Sequence, residues 1–173
     1  MLTPYYTRIA KKVLETYGII NSMKTEVASV EAMMEFGRRV GALCSGGEVI
    51  ELVGDIGAGK TTFTKGLAMG LGVEEEVQSP TFTISRVYDL PSDLRLAHYD
   101  FYRLSDPGMM AAELAETVHD AQTITVVEWA DVVADILPAH TLHIAIQSPT
   151  ESTRIIQITA TEGRGAELLK EMQ

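Results

Sequence analysis

The chain contains 173 residues, of which 46% are hydrophobic and 22% charged. These values are typical of one folded domain and exclude a disordered or low-complexity protein. The 14 Lys and Arg residues against 24 Asp and Glu residues give a formal net charge of −10. This charge opposes direct binding to nucleic acid or to an anionic membrane, because both are negatively charged. A single cysteine, no evident signal peptide and no membrane-length apolar run together predict a cytoplasmic protein without a membrane partner.

The first 22 residues are interpreted as an N-terminal extension. Apolar residues between Leu2 and Tyr17 recur at helical spacing, and Gly18 ends the pattern. We expect residues 1–22 to form a short amphipathic helix or to be poorly ordered, and residues 23–173 to form the folded domain. Because translation could also start at Met23, the extension is interpreted as an appended leader without a function of its own.

The remainder of the chain alternates predicted helices and strands. In chain order these are a helix over 29–44, a strand over 48–53, a helix over 60–72, a β-hairpin over 82–90 and 94–102, a helix over 107–120, a strand over 123–127, a helical turn over 131–137, a second hairpin over 141–147 and 154–160, and a short polar helix after 162. This order predicts one α/β domain with a mixed, mostly parallel sheet, helices on both faces and two β-hairpins.

A glycine-rich loop joins the predicted strand over 48–53 to the following helix. Its sequence, GDIGAGKT, matches the pattern G-x-x-x-x-G-K-[ST] at every specified position. Glycines let backbone N–H groups surround phosphate oxygens, and the N-terminus of the next helix adds a favourable dipole. The strand, loop and helix therefore predict a single P-loop NTPase domain, in which the phosphates are bound by Gly54, Asp55, Gly57, Ala58, Gly59, Lys60, Thr61 and Thr62. In this pattern the Lys60 ammonium reaches the outer phosphates, and the Thr61 hydroxyl is placed to coordinate Mg²⁺.

Two carboxylates follow predicted strands. Asp100 ends the second strand of the first hairpin, and Glu128 follows the apolar strand over 123–127. Ligands of open α/β sheets bind at the carboxyl ends of parallel strands. We therefore assign Glu128 to Mg²⁺ and Asp100 to orienting the attacking water or to a second metal role. Either residue alternatively makes a cap or a salt bridge at an exposed strand end.

A short hydroxyl-rich segment, Ser79-Pro80-Thr81, lies between the P-loop helix and the first hairpin. Hydroxyl groups behind a stiff proline suit a switch-like loop that senses the terminal phosphate, although the segment is otherwise an ordinary turn. His98 shares a strand face with Asp100 if alternation holds, which allows a supporting contact. A packed or solvent-facing histidine is the main interpretation, and Trp129 is interpreted as a packing residue.

Four sequence blocks in this order make the chain recognisable. They are GDIGAGKTTFTKGLAMGLG, SPTFT, HYDFYRL and VVEWAD. Over about residues 27–160 the chain resembles the TsaE family, the small ATPases of tRNA threonylcarbamoyladenosine biosynthesis. Four ordered blocks are far more specific than a P-loop alone.

The resemblance implies a cytoplasmic ATPase that uses ATP and Mg²⁺. We expect slow hydrolysis by the chain alone, because positioning and electrostatic groups supply nearly all catalysis of phosphoryl transfer and no arginine lies in or immediately beside residues 79–83. The resemblance also implies that the protein works with TsaD and TsaB to place the threonylcarbamoyl group on the adenosine next to the anticodon. The net charge of −10 predicts that tRNA is met only through this complex. The family's Mg²⁺ ligands match Thr61 and Glu128, and its H-x-D-x-Y-R aspartate matches Asp100. The family's contact to the nucleotide base, made from the helix before the P-loop, is not matched securely around Val30 and Glu31.

Two other functions are compatible with the P-loop. A small-molecule kinase would use the same loop, but Arg86, Arg95 and Arg103 lie in or beside the predicted hairpin and do not form an arginine-bearing lid. A nucleotide-gated binding module would need ATP occupancy but not hydrolysis, and the sequence does not separate it from an ATPase.

Overall fold

The computed structural model describes residues 21–173. The helix predicted in the N-terminal extension therefore lies outside the described residues, and the proposed domain boundary at residue 22 remains a prediction. Asn21 and Ser22, the last two residues of the predicted extension, begin the first strand of the sheet. No helix between residues 21 and 173 has the length and apolar composition needed to cross a bilayer.

The described chain forms seven strands, four α-helices and one 3₁₀ helix. The strands are β1 (Asn21–Val27), β2 (Val49–Val53), β3 (Ser85–Asp89), β4 (Arg95–Asp100), β5 (Thr123–Glu128), β6 (Leu142–Gln147) and β7 (Arg154–Ala160). The helices are α1 (Val30–Leu43), α2 (Lys60–Leu71), α3 (Met109–Thr117), the 3₁₀ helix (Ala130–Val133) and α4 (Gly163–Glu171). All of these elements except β1 were predicted from the sequence.

All seven strands belong to one mixed sheet in the order β1-β7-β6-β2-β5-β4-β3. The four central strands, β6, β2, β5 and β4, are parallel to their neighbours in this group. The two predicted hairpins, β3–β4 and β6–β7, and the pair β1–β7 are antiparallel. The mixed α/β sheet is confirmed. Its parallel strand pairs lie at the centre, and each hairpin and the β1–β7 pair add an antiparallel pair outside them.

Helices cover both faces of the sheet, as predicted. On one face, Ile50 and Leu52 of β2 pack in a core with Phe63 and Leu67 of α2, together with residues of α1 and α4. On the other face, Val49 of β2 packs in a core with residues of α3 and the 3₁₀ helix. All five β2 residues are buried, as expected for a parallel strand with helices on both sides. The P-loop therefore starts from a strand that is held on every side.

Helices α1 and α2 touch through their backbones. Both carry glycines four residues apart on the contacting face, namely Gly37 and Gly41 on α1 and Gly66 and Gly70 on α2. A Cβ atom at Gly41 would lie 2.1 Å from the carbonyl oxygen of Leu67, and one at Gly66 would lie 2.0 Å from that of Met34. No side chain fits at these distances, so glycine is required by space alone.

The close contact between α1 and α2 predicts how a glycine-to-alanine substitution there changes the stability of the protein. Replacing glycine by alanine inside an exposed helix normally stabilises a protein by about 0.5–1 kcal/mol. For Gly66→Ala we expect the opposite sign, a loss of about 1–3 kcal/mol, because the new methyl group must push the backbones of α1 and α2 apart. Urea denaturation measures the change, and Met69→Ala on the exposed face of α2 is the matched control. A Gly66→Ala protein that is at least as stable as the wild type would contradict the close contact.

Candidate functional site

The P-loop connects the end of β2 to the start of α2. Gly57 and Gly59 have φ values of +78° and +105°, which side-chain-bearing residues rarely adopt. Between them, the Ala58 amide donates a hydrogen bond to the Asp55 carbonyl at 3.1 Å. These two positive φ values turn the chain sharply enough to place Lys60 at the first position of α2.

The Lys60 side chain is folded back against the loop that precedes it. Its Nζ donates hydrogen bonds to the carbonyl oxygens of Gly54 at 2.8 Å and Asp55 at 3.0 Å, and only 6% of the residue is exposed. Burial lowers the pKa of Lys60 below its usual value, while the negative charges of Glu128 and Asp100 act in the opposite direction.

Trp129 covers the Lys60 ammonium. The centre of the Trp129 ring system lies 4.4 Å from Nζ of Lys60, within cation–π distance. The indole also contacts Tyr102, with 5.1 Å between ring centroids. Trp129 is a packing residue, as interpreted from the sequence, but what it packs against is the P-loop lysine.

Asp100 and Glu128 lie side by side at the carboxyl edge of the sheet. They end the neighbouring parallel strands β4 and β5 and are paired directly in register, and each residue is only 3% exposed. Glu128 is also level with Leu52 of β2, two residues before Gly54. The structure thus brings both predicted carboxylates to the edge from which the P-loop starts. The half-buried Thr61 follows Lys60 in the first turn of α2.

His98 supports the Glu128 carboxylate. Its Nε2 lies 3.0 Å from Oε1 of Glu128, and the histidine is completely buried. The other ring nitrogen, Nδ1, has no hydrogen-bond partner among residues 21–173. The bond to the carboxylate requires a proton on Nε2, so a neutral ring leaves an acceptor rather than a donor unsatisfied. His98 is therefore both packed and in contact with the site, which combines the two interpretations of the sequence.

The hydroxyl groups of the predicted switch-like loop bind Asp100. Ser79 Oγ donates to Asp100 Oδ2 at 3.0 Å, and Thr81 Oγ1 donates to the same oxygen at 2.5 Å. The amide of Tyr102 donates to Oδ1 at 2.9 Å. Three donors thus satisfy the nearly buried Asp100 carboxylate. Because Thr81 and Ser79 lie 19 and 21 residues before Asp100, these contacts anchor the loop to a distant part of the chain.

The segment between Pro80 and Ile84 carries an exposed tip and a strained end. The Pro80 carbonyl accepts hydrogen bonds from the amides of Thr83 at 2.9 Å and Ile84 at 2.6 Å, which closes a tight turn. Ile84 has a φ of +68°, a conformation that costs a β-branched residue about 1–3 kcal/mol. Its carbonyl accepts from the Asp100 amide at 2.8 Å, whereas the Phe82 side chain at the tip is fully exposed. Asp100 therefore holds the segment at both ends.

A cavity of about 480 Å³ opens beside the P-loop. This volume lies within the range typical of small-molecule sites. Its walls are the start of α1 with the residues before it, the P-loop, α2 and the β6–β7 turn, through Ala28, Ser29, Val30, Glu31, Met33, Gly57, Ala58, Gly59, Thr62, Glu151, Ser152 and Arg154. Val30 and Glu31, which the sequence alone does not assign securely, are thus wall residues. Arg154 was missed because it belongs to no recognisable motif.

The fold and the loop together define a P-loop NTPase-like α/β protein. The family model described as threonylcarbamoyl adenosine biosynthesis protein TsaE matches residues 27–156 of the chain. The chain therefore belongs to the TsaE family, as its four sequence blocks predict.

Similarity to individual proteins supports this family assignment. A Bacillus subtilis protein named tRNA threonylcarbamoyladenosine biosynthesis protein TsaE is 37% identical over 153 residues, which cover 88% of this chain and 95% of that protein. A Treponema pallidum protein of the same name is 37% identical over 136 residues, covering 79% and 99%. The crystal structure of Bacillus subtilis YdiB matches with a TM-score of 0.75 and 34% identity over 89% of this chain and 95% of that one.

The contact between the loop and Asp100 can be tested without any ligand. Thr81→Val keeps the shape of the side chain but removes the hydroxyl group, whereas Thr81→Ser keeps the hydroxyl group. Because a hydrogen bond to a charged group contributes about 1.5–3 kcal/mol, we expect amide hydrogen exchange at residues 81–84 to accelerate roughly tenfold or more in Thr81→Val and little in Thr81→Ser. Equal exchange in the wild type and Thr81→Val would show that the loop is held by something else.

Proposed function

We propose that this chain is a Mg²⁺-dependent ATPase that supports formation of threonylcarbamoyladenosine next to the anticodon of tRNA. One observation carries the proposal. A complete P-loop lies beside two paired, buried carboxylates, next to a cavity large enough for a nucleoside. The names of the relatives supply the pathway, and the local geometry supports the nucleotide chemistry.

The nucleotide is proposed to lie along the P-loop with its base in the 480 Å³ cavity. Its phosphates would be bound by the backbone and side chains of Gly54, Asp55, Gly57, Ala58, Gly59, Lys60, Thr61 and Thr62. The buried Lys60 ammonium would exchange its two carbonyl acceptors for phosphate oxygens, to which charge-assisted hydrogen bonds are stronger. Thr62 lines the cavity as well, so phosphate and base sites are continuous.

The available oxygen ligands fit magnesium. Glu128 uses Oε1 to contact His98, and its Oε2 makes no hydrogen bond with any group of residues 21–173. No group of three or more His, Cys, Asp or Glu residues within 21–173 forms a dedicated metal cage. Mg²⁺ typically uses one or two protein oxygen ligands together with phosphates and water, which matches Thr61 and Glu128 as proposed ligands. The ion would supply positive charge against the charge that develops on the phosphate oxygens.

Asp100 is proposed to orient the attacking water and to couple it to the switch-like loop. Two of its three hydrogen-bond donors come from Ser79 and Thr81, so a movement of that loop changes what the carboxylate can accept. Positioning and electrostatics supply nearly all of the catalysis in phosphoryl transfer. A loop that responds to the terminal phosphate or to a partner protein would therefore control turnover through Asp100.

The proposed partners are TsaB and TsaD, with tRNA reached only through their complex. A net charge of −10 opposes the counterion release that drives binding of proteins to nucleic acids. The chain alone is expected not to retain tRNA at moderate salt. The partners would hold the RNA, and ATP turnover here would reset the complex between rounds.

The proposed metal ligand yields a direct prediction. Glu128→Gln replaces a hard anionic ligand with a neutral one, so Mg²⁺-dependent hydrolysis should fall roughly 100-fold or more while the protein remains folded. Steady-state ATP hydrolysis measured across a Mg²⁺ titration, in the presence of the partners, tests this expectation. Glu75→Gln, at an exposed acid after α2, is the control. Normal magnesium dependence in Glu128→Gln would move the ligand role to Asp100.

The pathway role is tested by reconstitution with tRNA, threonine, bicarbonate, ATP, TsaB and TsaD. We expect repeated rounds of modification with the wild type and slow ATP hydrolysis by the chain alone that rises when the partners are added. Lys60→Ala should support no repeated rounds, whereas Lys65→Ala, at a half-exposed lysine of the same helix, should behave as the wild type. Undiminished multiple-turnover product without this protein would overturn the pathway role but leave nucleotide binding in place.

A further inference from the structure

Arg154, the first residue of β7, contacts the P-loop although the two are far apart in sequence. Its Nε donates to the carbonyl oxygen of Ala58 at 2.9 Å, and its Nη2 donates to that of Gly57 at 3.4 Å. These two acceptors lie in the middle of the P-loop, 96 and 97 residues away. The guanidinium therefore holds the loop at the first of its two left-handed glycines and at the residue that follows it.

The other side of the guanidinium is held by the β6–β7 turn. Nη1 of Arg154 donates to the carbonyl oxygens of Thr150, Glu151 and Thr153 at 3.2, 3.0 and 2.9 Å. All five acceptors are thus backbone carbonyls, which fix the side chain without neutralising it. None of the ion pairs among residues 21–173 includes Arg154.

This arrangement leaves a permanent positive charge beside the P-loop, because an arginine side chain does not lose its proton in proteins. Arg154 also lines the 480 Å³ cavity. Its backbone is level with Val27, the last residue of β1, from which the chain continues into the opposite wall of that cavity. The side chain therefore borders both the loop and the cavity.

The bond to Ala58 also has a directional effect. No cis peptide bond occurs among the described residues, and in a trans peptide the carbonyl and the following N–H point in opposite directions. A carbonyl of Ala58 that is held towards Arg154 therefore directs the amide of Gly59 away from it. Fixing that amide is useful only if the loop must present its N–H groups in one conformation, as a phosphate site does.

We propose that Arg154 is a positioning residue for the nucleotide: it fixes the Gly57–Ala58 stretch of the P-loop and adds affinity for phosphate through its charge. This inference rests on the proposed nucleotide site. It makes the β6–β7 hairpin, which contains no part of the P-loop motif, a component of phosphate binding.

The test compares ligands that differ only in phosphate number. Binding of ATP, ADP and adenosine to Arg154→Gln, Arg154→Lys and the wild type is measured by calorimetry at two salt concentrations. For Arg154→Gln we expect ATP affinity to fall about tenfold or more, ADP affinity to fall less and adenosine affinity to change little. Arg154→Lys keeps the charge but not the planar fork, so it should recover part of the ATP affinity and most of its salt dependence.

Controls separate this proposal from neighbouring explanations. Arg38→Gln removes an exposed arginine that pairs with Glu35 on α1 and should bind ATP as the wild type does. Equal losses of affinity for ATP and adenosine in Arg154→Gln would show that Arg154 only lines the cavity and does not act on the phosphates. Unchanged ATP affinity would overturn the proposal outright. If Arg154→Gln does not fold, the salt dependence of ATP binding is compared between Arg154→Lys and the wild type. A dependence that is mostly kept supports the proposal, and one that is lost contradicts it. A wild type that binds no ATP would instead refute the proposed nucleotide site.

Discussion

The backbone contact between α1 and α2 is the constraint on which the geometry of the site depends. A methyl group at Gly41 or Gly66 would lie about 2 Å from a carbonyl oxygen of the other helix, so the distance between the helices has little freedom to change. Helix α2 begins at the P-loop, whereas the residues that precede and open α1 form the opposite wall of the cavity. The glycine contact therefore sets the width of the space proposed for the nucleotide.

The charged groups at this site have hydrogen-bond partners within the protein itself. Lys60 donates to carbonyls of its own loop, Glu128 contacts His98, and Asp100 accepts from Ser79, Thr81 and a backbone amide. Buried charges need such partners, because an unpaired charge in the interior is costly. In the proposed site, phosphate oxygens would replace the carbonyl acceptors of Lys60, whereas the hydroxyl donors on Asp100 connect its carboxylate to the switch-like loop.

Patterns that are local in sequence predicted most of the fold. Each hairpin shows two alternating strands separated by turn residues, and the P-loop shows its glycine motif between a strand and a helix. These patterns can be recognised without knowledge of the tertiary structure. Strand β1 was missed, although Met23, Thr25 and Val27 alternate with Lys24 and Glu26, because it is a half-exposed edge strand rather than an apolar one. Asp100 and Glu128 were grouped correctly at one sheet edge, but the pairing of Glu128 with His98 and the glycine contact depend on tertiary structure. Arg154 binds backbone carbonyls, which carry no sequence signature.

The P-loop, the paired carboxylates and the adjacent cavity are proposed to form one nucleotide site. A crystal structure of the protein with a non-hydrolysable ATP analogue and Mg²⁺ tests it most directly. We expect the phosphates along residues 54–61, the ion at Thr61 and Glu128, and the base in the cavity beside Val30 and Glu31. A nucleotide bound elsewhere, with the P-loop empty, would refute the proposed site.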